Sequence, residues 1–383
     1  MRIKKIISLS LILMLILTFI VGCSSATQQS TNTTKGLPEM LTWVSYEVGS
    51  AGYTQSAAIA NALTKQYGTK IRIIPGDTSI GRVIALTSKQ ATYGFFADET
   101  SFAVQGLYDF ASNSFGPQDL RVVLAKPSAF TFCVTADSGI KTVEDLKGKR
   151  VYRVPGNTSH TVKTEGFLAF GGLTWDDVVI TDMPSFSAGL KGLAEGKVDV
   201  VCSVPSAAGL YEVASSPKGL NFIEFPASNT EGWKRLQKIC PWIGPGKDNR
   251  GPGIDRDMEF PIYSYPQIVT NSDTSEEDVY QLIKAIDETF GLYKDANADM
   301  GDWAIEKASA FPVGAPYHEG AIKYLKEKGL WTENHEKWNN ELIARLDKLK
   351  EAWVTVTNEA LEKGIPAADF PKYWADRKEQ LVP

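Results

Sequence analysis

Three short loops hold the residues whose types and spacing could do binding chemistry: Gly49-Ser50-Ala51-Gly52-Tyr53, Gly76-Asp77-Thr78-Ser79 and Gly156-Asn157-Thr158-Ser159. In each, glycine and small hydroxyl or amide residues stand where a helix is expected to begin. The first N–H groups of a helix have no intrahelical acceptor, so such loops suit a carboxylate or a phosphate. Short strand-to-helix loops are also Gly/Ser-rich for turn reasons alone. The weight lies in their recurrence at expected C-terminal strand ends, where open α/β sheets hold ligands.

Other chemistries have weaker signals. The three histidines, His160, His318 and His335, form no metal-ligand pair, since Ile322 stands where His318-Glu319 would need a second histidine. Gly76 to Val83 has the glycine spacing of a phosphate loop, but Arg82 replaces its lysine and Val83 its hydroxyl residue. Asp295-Ala296-Asn297-Ala298-Asp299-Met300-Gly301 with Glu306 imitates a calcium loop, yet its glycine comes one place late. That segment reads better as a helix end followed by an acid-capped helix. No nucleophile elbow is present, and a dispersed hydrolase triad is the alternative class. No catalytic residue, metal or cofactor is expected, and the chain reads as a non-enzyme.

Elements must place these loops, and the pattern from Leu41 onward alternates strand and helix. Leu41–Tyr46, Lys70–Ile74, Ala91–Phe96, Leu120–Leu124 and Ala129–Val134 read as strands, with helices over Tyr53–Gln66, Ile80–Ser88 and Glu99–Leu107. A second series runs strand Arg150–Val154, helix Thr158–Phe170, strand Val178–Ile180, helix Ser187–Ala194, strand Val198–Cys202, helix Ser206–Val213. This order predicts α/β sheets covered on both faces. The Gly/Pro/Trp-rich stretch Pro226–Pro261 reads as a surface excursion, Ile262–Thr270 as a strand returning to the first lobe, and Ser275–Phe290 as a helix. Everything after Tyr317 reads as helical, and Glu336–Lys363 is one long amphipathic candidate carrying Trp338, Leu342, Leu346, Leu349 and Trp353.

The N-terminus combines a cationic start, an apolar run over Ile6–Val21, and Ile20-Val21-Gly22-Cys23, which resembles a bacterial lipobox. Residues 1–22 are therefore expected to be a lipoprotein signal peptide, Cys23 the lipid anchor and 23–36 a flexible tether. The apolar run is short for an uncleaved membrane span. With 40 Lys+Arg, 45 Asp+Glu and no like-charge block, the 383-residue chain lacks the basic footprint that nucleic acid requires. Beyond Cys23, the three cysteines Cys133, Cys202 and Cys240 allow at most one disulfide, and Cys133 and Cys202 sit in strand-like runs that favour core burial.

The Gly49–Tyr53 loop with its Ala-rich helix resembles the TAXI family, the solute-binding components of TRAP transporters. So do Thr142–Arg150 with Gly156–Ser159, Leu193-Ala-Glu-Gly-Lys-Val-Asp199, Val279-Tyr280 opening a helix, and Pro316-Tyr-His-Glu-Gly-Ala through Trp331. The resemblance spans about Leu41 to Trp331, with departures at Ala51, at the single Tyr53, at Arg82 and at Tyr152-Arg153. It implies a two-lobed, type II periplasmic-binding-protein-like fold with a hinge and a helical C-terminal extension. Lobe one would comprise 37–128 with 263–383, and lobe two 129–262. The implied protein is an extracytoplasmic, lipid-anchored monomer of the bacterial cell membrane. It would capture a small organic anion, a carboxylate or a glutamate-like amino acid, and deliver it to a sodium-coupled TRAP permease. The alternative is a ligand-sensing lipoprotein that presents its solute to a membrane receptor.

On that reading Ser50, Gly52, Tyr53, Thr78 and Ser79 contact the ligand from lobe one, and Asn157, Thr158 and Ser159 from lobe two. Arg82 and Arg153 are candidate carboxylate forks, with surface ion pairing as the alternative for both. Glu47 or Asp98 could meet an ammonium, and Trp43, Tyr46 and Phe96 could wall the pocket or pack the core. His318 is expected to cap or buttress the C-terminal helices.

Overall fold

Residues 36–112, 115–309 and 313–382 are described in a computed structural model of the chain. The expected signal peptide, the Cys23 anchor and the tether up to residue 35 lie outside these residues.

The first three strand–helix units follow the sequence pattern. Strand β1 (Met40–Ser45) leads to helix α1 (Ala51–Tyr67), β2 (Lys70–Pro75) to α2 (Ser79–Thr87), and β3 (Tyr93–Phe96) to α3 (Glu99–Gln105). Helix α1 shows why the boundaries fall where they do. Ser50 caps it by accepting from the Tyr53 N–H, its Ala-rich body buries Ile59 and Leu63, and Gly68 ends it at φ 74°, a left-handed conformation that costs glycine little.

Strand β4 (Leu120–Ala129) passes through Phe130 alone into β5 (Thr131–Val134), the first strand of a second sheet. There follow β6 (Arg150–Arg153), α4 (Thr158–Phe170), β7 (Val179–Asp182), α5 (Phe186–Glu195), β8 (Val200–Ser203) and α6 (Ala208–Ala214). Then come β9 (Asn221–Phe222), α7 (Thr230–Ile239), β10 (Gly244–Asp248) and the long β11 (Met258–Asn271).

The first sheet runs β10-β11-β3-β1-β2 with β4 on the other side of β11, and the second runs β7-β6-β8-β5-β9. The β1, β2 and β3 pairings are parallel, as are those of β6 with β7 and β8. Helical crossovers of βαβ order permit this arrangement. β4 and β11 pair antiparallel from Asn271↔Leu120 to Ile262↔Ala129, so this ribbon is the route by which the chain reaches the second sheet. The result is the mixed α/β, two-sheet architecture expected from the sequence.

One expectation holds only in part. The Gly/Pro-rich stretch 226–261, expected to be a long surface excursion after a short helix, does carry the short helix α7, but it also carries the strand β10, in which Gly246 pairs with Phe260. β10 has only one neighbour strand, and an edge is where a sheet tolerates proline.

The chain continues through α8 (Glu276–Glu288), α9 (Phe290–Tyr293), α10 (Ile305–Ala308), α11 (Glu319–Glu327), the 30-residue α12 (Glu333–Glu362) and α13 (Phe370–Leu381). His318 caps α11 by accepting from Gly320 N–H at 3.2 Å. α12 and α13 build a small core of their own from Leu349, Val356, Phe370 and Trp374, joined to the body through Ala111. The main core centres on Trp43, Phe95 and Trp303, whose rings pack in series at 5.2 and 6.0 Å. Cys133, Cys202 and Cys240 are all buried and unbridged.

Candidate functional site

The strand-to-loop ends of both sheets converge on one cavity of about 520 Å³ of empty volume, counting its mouth. β1 delivers Tyr46, Glu47, Ser50 and Ala51; β2 delivers Gly76 and Asp77, with Arg82 one turn into α2; β3 delivers Ala97. From the second sheet come Asn157, Ser159, His160 and Lys163 at the head of α4, and Ser203 to Ala207 after β8. Phe130, Tyr263 and Tyr265 of the connecting ribbon form the back wall, with the last two rings stacked at 5.6 Å.

Two buried ion pairs lie beside this space, and consecutive residues at the head of α3 supply their acids. Glu99 Oε1 accepts from Arg82 Nε at 3.1 Å and Nη2 at 2.7 Å, and from Tyr46 Oη at 3.0 Å. Arg82 Nη1 donates to Gly76 O at 2.9 Å, and the guanidinium lies 4.0 Å from the Tyr46 ring centroid. Burial pushes the Glu99 carboxyl up, but Arg82 overrides it and holds Glu99 below the usual carboxylate range. Asp98 accepts from Lys163 Nζ and from Ser159 Oγ, the latter at 3.3 Å. Burial outweighs Lys163 there and leaves the Asp98 carboxyl above its usual range. Lys163 also donates to Ser159 Oγ at 2.6 Å, and its ammonium lies 4.9 Å from the Tyr263 ring centroid and 5.3 Å from that of Phe130.

His160 packs edge-on to Phe130 and Tyr152, and burial with Lys163 and Arg82 nearby pushes its pKa down to about 3. Its imidazole is therefore neutral at neutral pH, and the cavity's cations are Arg82 and Lys163.

Residues of the two sheets touch directly across the cleft. Ser79 N–H donates to Gly156 O at 3.1 Å, Ser79 Oγ donates to Asn157 Oδ1 at 3.1 Å, and Ser159 N–H donates back to Ser79 Oγ at 3.3 Å. Ser187 N–H donates to Glu47 Oε1 at 2.6 Å, Gly209 N–H to Gly49 O at 3.2 Å, and Ser206 Oγ to Asp299. The last contact falls in the calcium-like loop. Asp299 is engaged by Ser206, Gln55 and Arg250, and among the described residues no cluster of acidic, histidine or cysteine side chains fits a metal ion.

Of the residues singled out from sequence, Tyr46, Glu47, Ser50, Arg82, Asn157 and Ser159 line the cavity, and Trp43 packs in the core. Ser79 and Thr158 make cross-cleft contacts instead, Thr158 to Asp109. Gly52 N–H donates to Tyr265 Oη at 2.9 Å, Tyr53 N–H and Gly81 N–H are taken by the Ser50 and Thr78 caps, and Phe96 is sealed in the first sheet. Asp98 stands behind Lys163. Arg153 stands outside the cavity, because the β6–β7 register sets it directly beside Asp182, which it grips at 2.7 and 2.9 Å.

Sequence reasoning missed Asp77, Phe130, His160, Lys163, Phe186, Tyr263 and Tyr265 as lining residues. A usable signal existed for Lys163, which lies one helical turn after Ser159 and so shares its face. Tyr263 and Tyr265 alternate along a strand, which places both on one side.

The profile of the NMT1-like family matches residues 47–329, and the chain belongs to that family. Solved structures resemble it at low identity. The alkanesulfonate-binding protein SsuA from Xanthomonas axonopodis pv. citri, bound to MOPS, is 16% identical with a TM-score of 0.44, covering 80% of this chain and 85% of that one. An ancestral arginine-binding protein bound to arginine is 19% identical with a TM-score of 0.42, covering 68% and 97%. A structure described as a periplasmic transporter is 14% identical with a TM-score of 0.47, covering 80% and 96%. Among the described residues no helix is long and apolar enough to cross a membrane.

Proposed function

We propose that this NMT1-like protein is an extracytoplasmic solute-binding lipoprotein. It captures a small organic anion, a carboxylate or a glutamate-like amino acid, between its two lobes and delivers it to a sodium-coupled TRAP permease. The observation that carries the reading is the cavity itself: polar side chains from both sheets face it, and direct hydrogen bonds link the sheets around it.

Binding follows from that geometry. An ammonium group has three N–H donors, and Lys163 spends two on Asp98 and Ser159, so one is available to a carboxylate. Tyr46, Phe130, Tyr263 and Phe186 supply apolar wall, which fits a pocket that is mostly hydrophobic with a few placed polar groups. A ligand touching both lobes stabilises the closed state by its differential affinity for it, and the permease would read that closed shape. The lipid anchor at Cys23 keeps the receptor at the membrane. No residue is assigned a catalytic role.

A thermal-shift screen of the protein against amino acids, keto acids, dicarboxylates and aromatic acids tests the reading. A ligand present at 100 times its Kd adds about 2.7 kcal/mol to the native state, and the melting temperature rises. A selective rise supports the receptor role, and a flat response to every small anion in folded, ligand-free protein contradicts it. Transport assays with and without a co-expressed TRAP permease separate delivery from sensing.

A further inference from the structure

The ring-bearing side chains that line the cavity touch one another in series. From Tyr46, just past β1, the series passes edge-on to Tyr265 at 5.2 Å, stacks onto Tyr263 at 5.6 Å and reaches Phe130 at 5.6 Å. It continues edge-on to His160 at 5.0 Å and ends on Phe186 at 6.2 Å. The arc therefore starts beside the first sheet, crosses the connecting ribbon and finishes at the heads of α4 and α5, beside the second sheet.

Much of the polar wall is committed to the protein itself. Tyr46 Oη donates to Glu99 at 3.0 Å, and Tyr265 Oη accepts from the Gly52 N–H at 2.9 Å. Ser50 Oγ donates to Glu47 O at 2.7 Å, Ser203 Oγ donates to Val204 O at 3.0 Å, and Asn157 Oδ1 accepts from Ser79. What these residues leave for a solute is chiefly ring surface. Rings attract one another in edge-on or offset arrangements with centroids roughly 4.5–7 Å apart, a gain that a saturated chain of the same size does not make.

The charges set a second limit. Arg82 and Lys163, the cations of the cavity, are each paired with a buried protein carboxylate, Glu99 and Asp98. One solute carboxylate can take the remaining N–H of Lys163. A second would meet no cation that is not already paired with a protein acid, and Glu47 and Asp77 in the same wall would repel it.

We infer that the arc from Tyr46 to Phe186 seats a planar aromatic ring, so that the solute is an aromatic monocarboxylate and not glutamate or another aliphatic diacid. This rests on the proposed solute-binding role and narrows its ligand class. The carboxylate meets Lys163, whose ammonium already lies 4.9 Å from the Tyr263 ring centroid, and the ring of the solute lies along the arc. Because the arc runs from one sheet to the other, a single ring touches both sides of the cleft.

The test is calorimetric titration with matched aromatic and saturated acids: benzoate and cyclohexanecarboxylate, phenylacetate and cyclohexylacetate, 3-phenylpropanoate and 3-cyclohexylpropanoate. Each pair shares its carboxylate and its carbon count, so the comparison isolates the planar ring. In the pair that binds best, the aromatic member is expected to be tighter by about 3- to 10-fold, the range of an aromatic contact beyond its burial. Glutarate, L-glutamate and 1,4-phenylenediacetate carry a second carboxylate and should bind at least about tenfold more weakly than the best aromatic acid. Phe186→Leu removes a half-buried ring from one end of the arc and should narrow the gap within a pair. Phe130→Leu should narrow it from the middle, and stands in if Phe186→Leu does not fold. A saturated member that binds as tightly as its aromatic partner, or a diacid that binds more tightly than every aromatic acid, overturns the inference and leaves the receptor role standing. Variants that leave the gap unchanged, including those that weaken both members equally, do the same. No binding by any of these acids, in folded wild-type protein, overturns the carboxylate-receptor reading and the aromatic seat with it.

Discussion

Ser79 and Asn157, from opposite sides of the cleft, are joined by a hydrogen bond of 3.1 Å from the serine hydroxyl to the amide oxygen. Asn157 also caps α4 by accepting from the His160 N–H, so one side chain both starts a helix and ties it to the head of α2. Ser79→Ala removes the tie and spares the cap. A neutral hydrogen bond contributes about 1 kcal/mol, so the closed population should fall and the apparent Kd rise by about fivefold. Titration of wild type and variant with the same ligand reads this directly, and an unchanged Kd would show that closure does not use this contact.

The buried pair Arg82–Glu99 should dominate the stability of the cavity floor. Removing one partner of such a pair costs about 3–5 kcal/mol, because the other charge stays buried without compensation. Arg82→Ala is therefore expected to lower the melting temperature sharply. Adding Glu99→Gln to it should restore part of the loss, and denaturant titration of the single and double variants measures the coupling.

His160 sets an acid limit. Its pKa is pushed down to about 3 in the fold against 6.5 in the unfolded chain, so below pH 6.5 the unfolded state binds a proton that the native state refuses. Stability from this group is complete above pH 6.5 and is lost as pH falls, at about 1.4 kcal/mol per pH unit. His160→Phe should flatten the stability profile between pH 6 and 4, the working window of that titration. Equal slopes in wild type and variant would refute it.

How far the sequence carried the reading differs between fold and site. The α/β order, the loops at strand ends and the long terminal helix follow from local patterns, as with Ser50 before an Ala-rich run. β10 escaped because Gly244-Pro245-Gly246 has poor strand propensity and forms a strand only through its pairing with β11. The site was harder for the same reason. Arg82 offers a carboxylate fork until the fold places Glu99 against it, and nothing local marks Glu99 as its partner 17 residues away. Arg153 takes the ion-pair alternative, because a strand register, not a motif, set it beside Asp182. Asp77 and Lys163 look like ordinary loop and helix charges, and only tertiary packing turns them to one cavity.

The terminal helices should be separable from binding. Trp374 is fully buried with its ring 4.8 Å from that of Trp353, in the small core, none of whose residues lines the cavity. Trp374→Ala should cost about 3–5 kcal/mol locally. Hydrogen exchange should then accelerate in α13 and the end of α12, while the ligand-induced rise in melting temperature persists. Loss of ligand response in this variant would tie the extension to the site.

The most direct measurement is a crystal structure of the protein with the solute that gives the largest thermal shift. A ligand in contact with Lys163, walled by Tyr46, Phe130 and Tyr263 with Ser79 and Asn157 in contact, is the expected result. A bound solute elsewhere on the protein, with this cavity still vacant, would contradict the account.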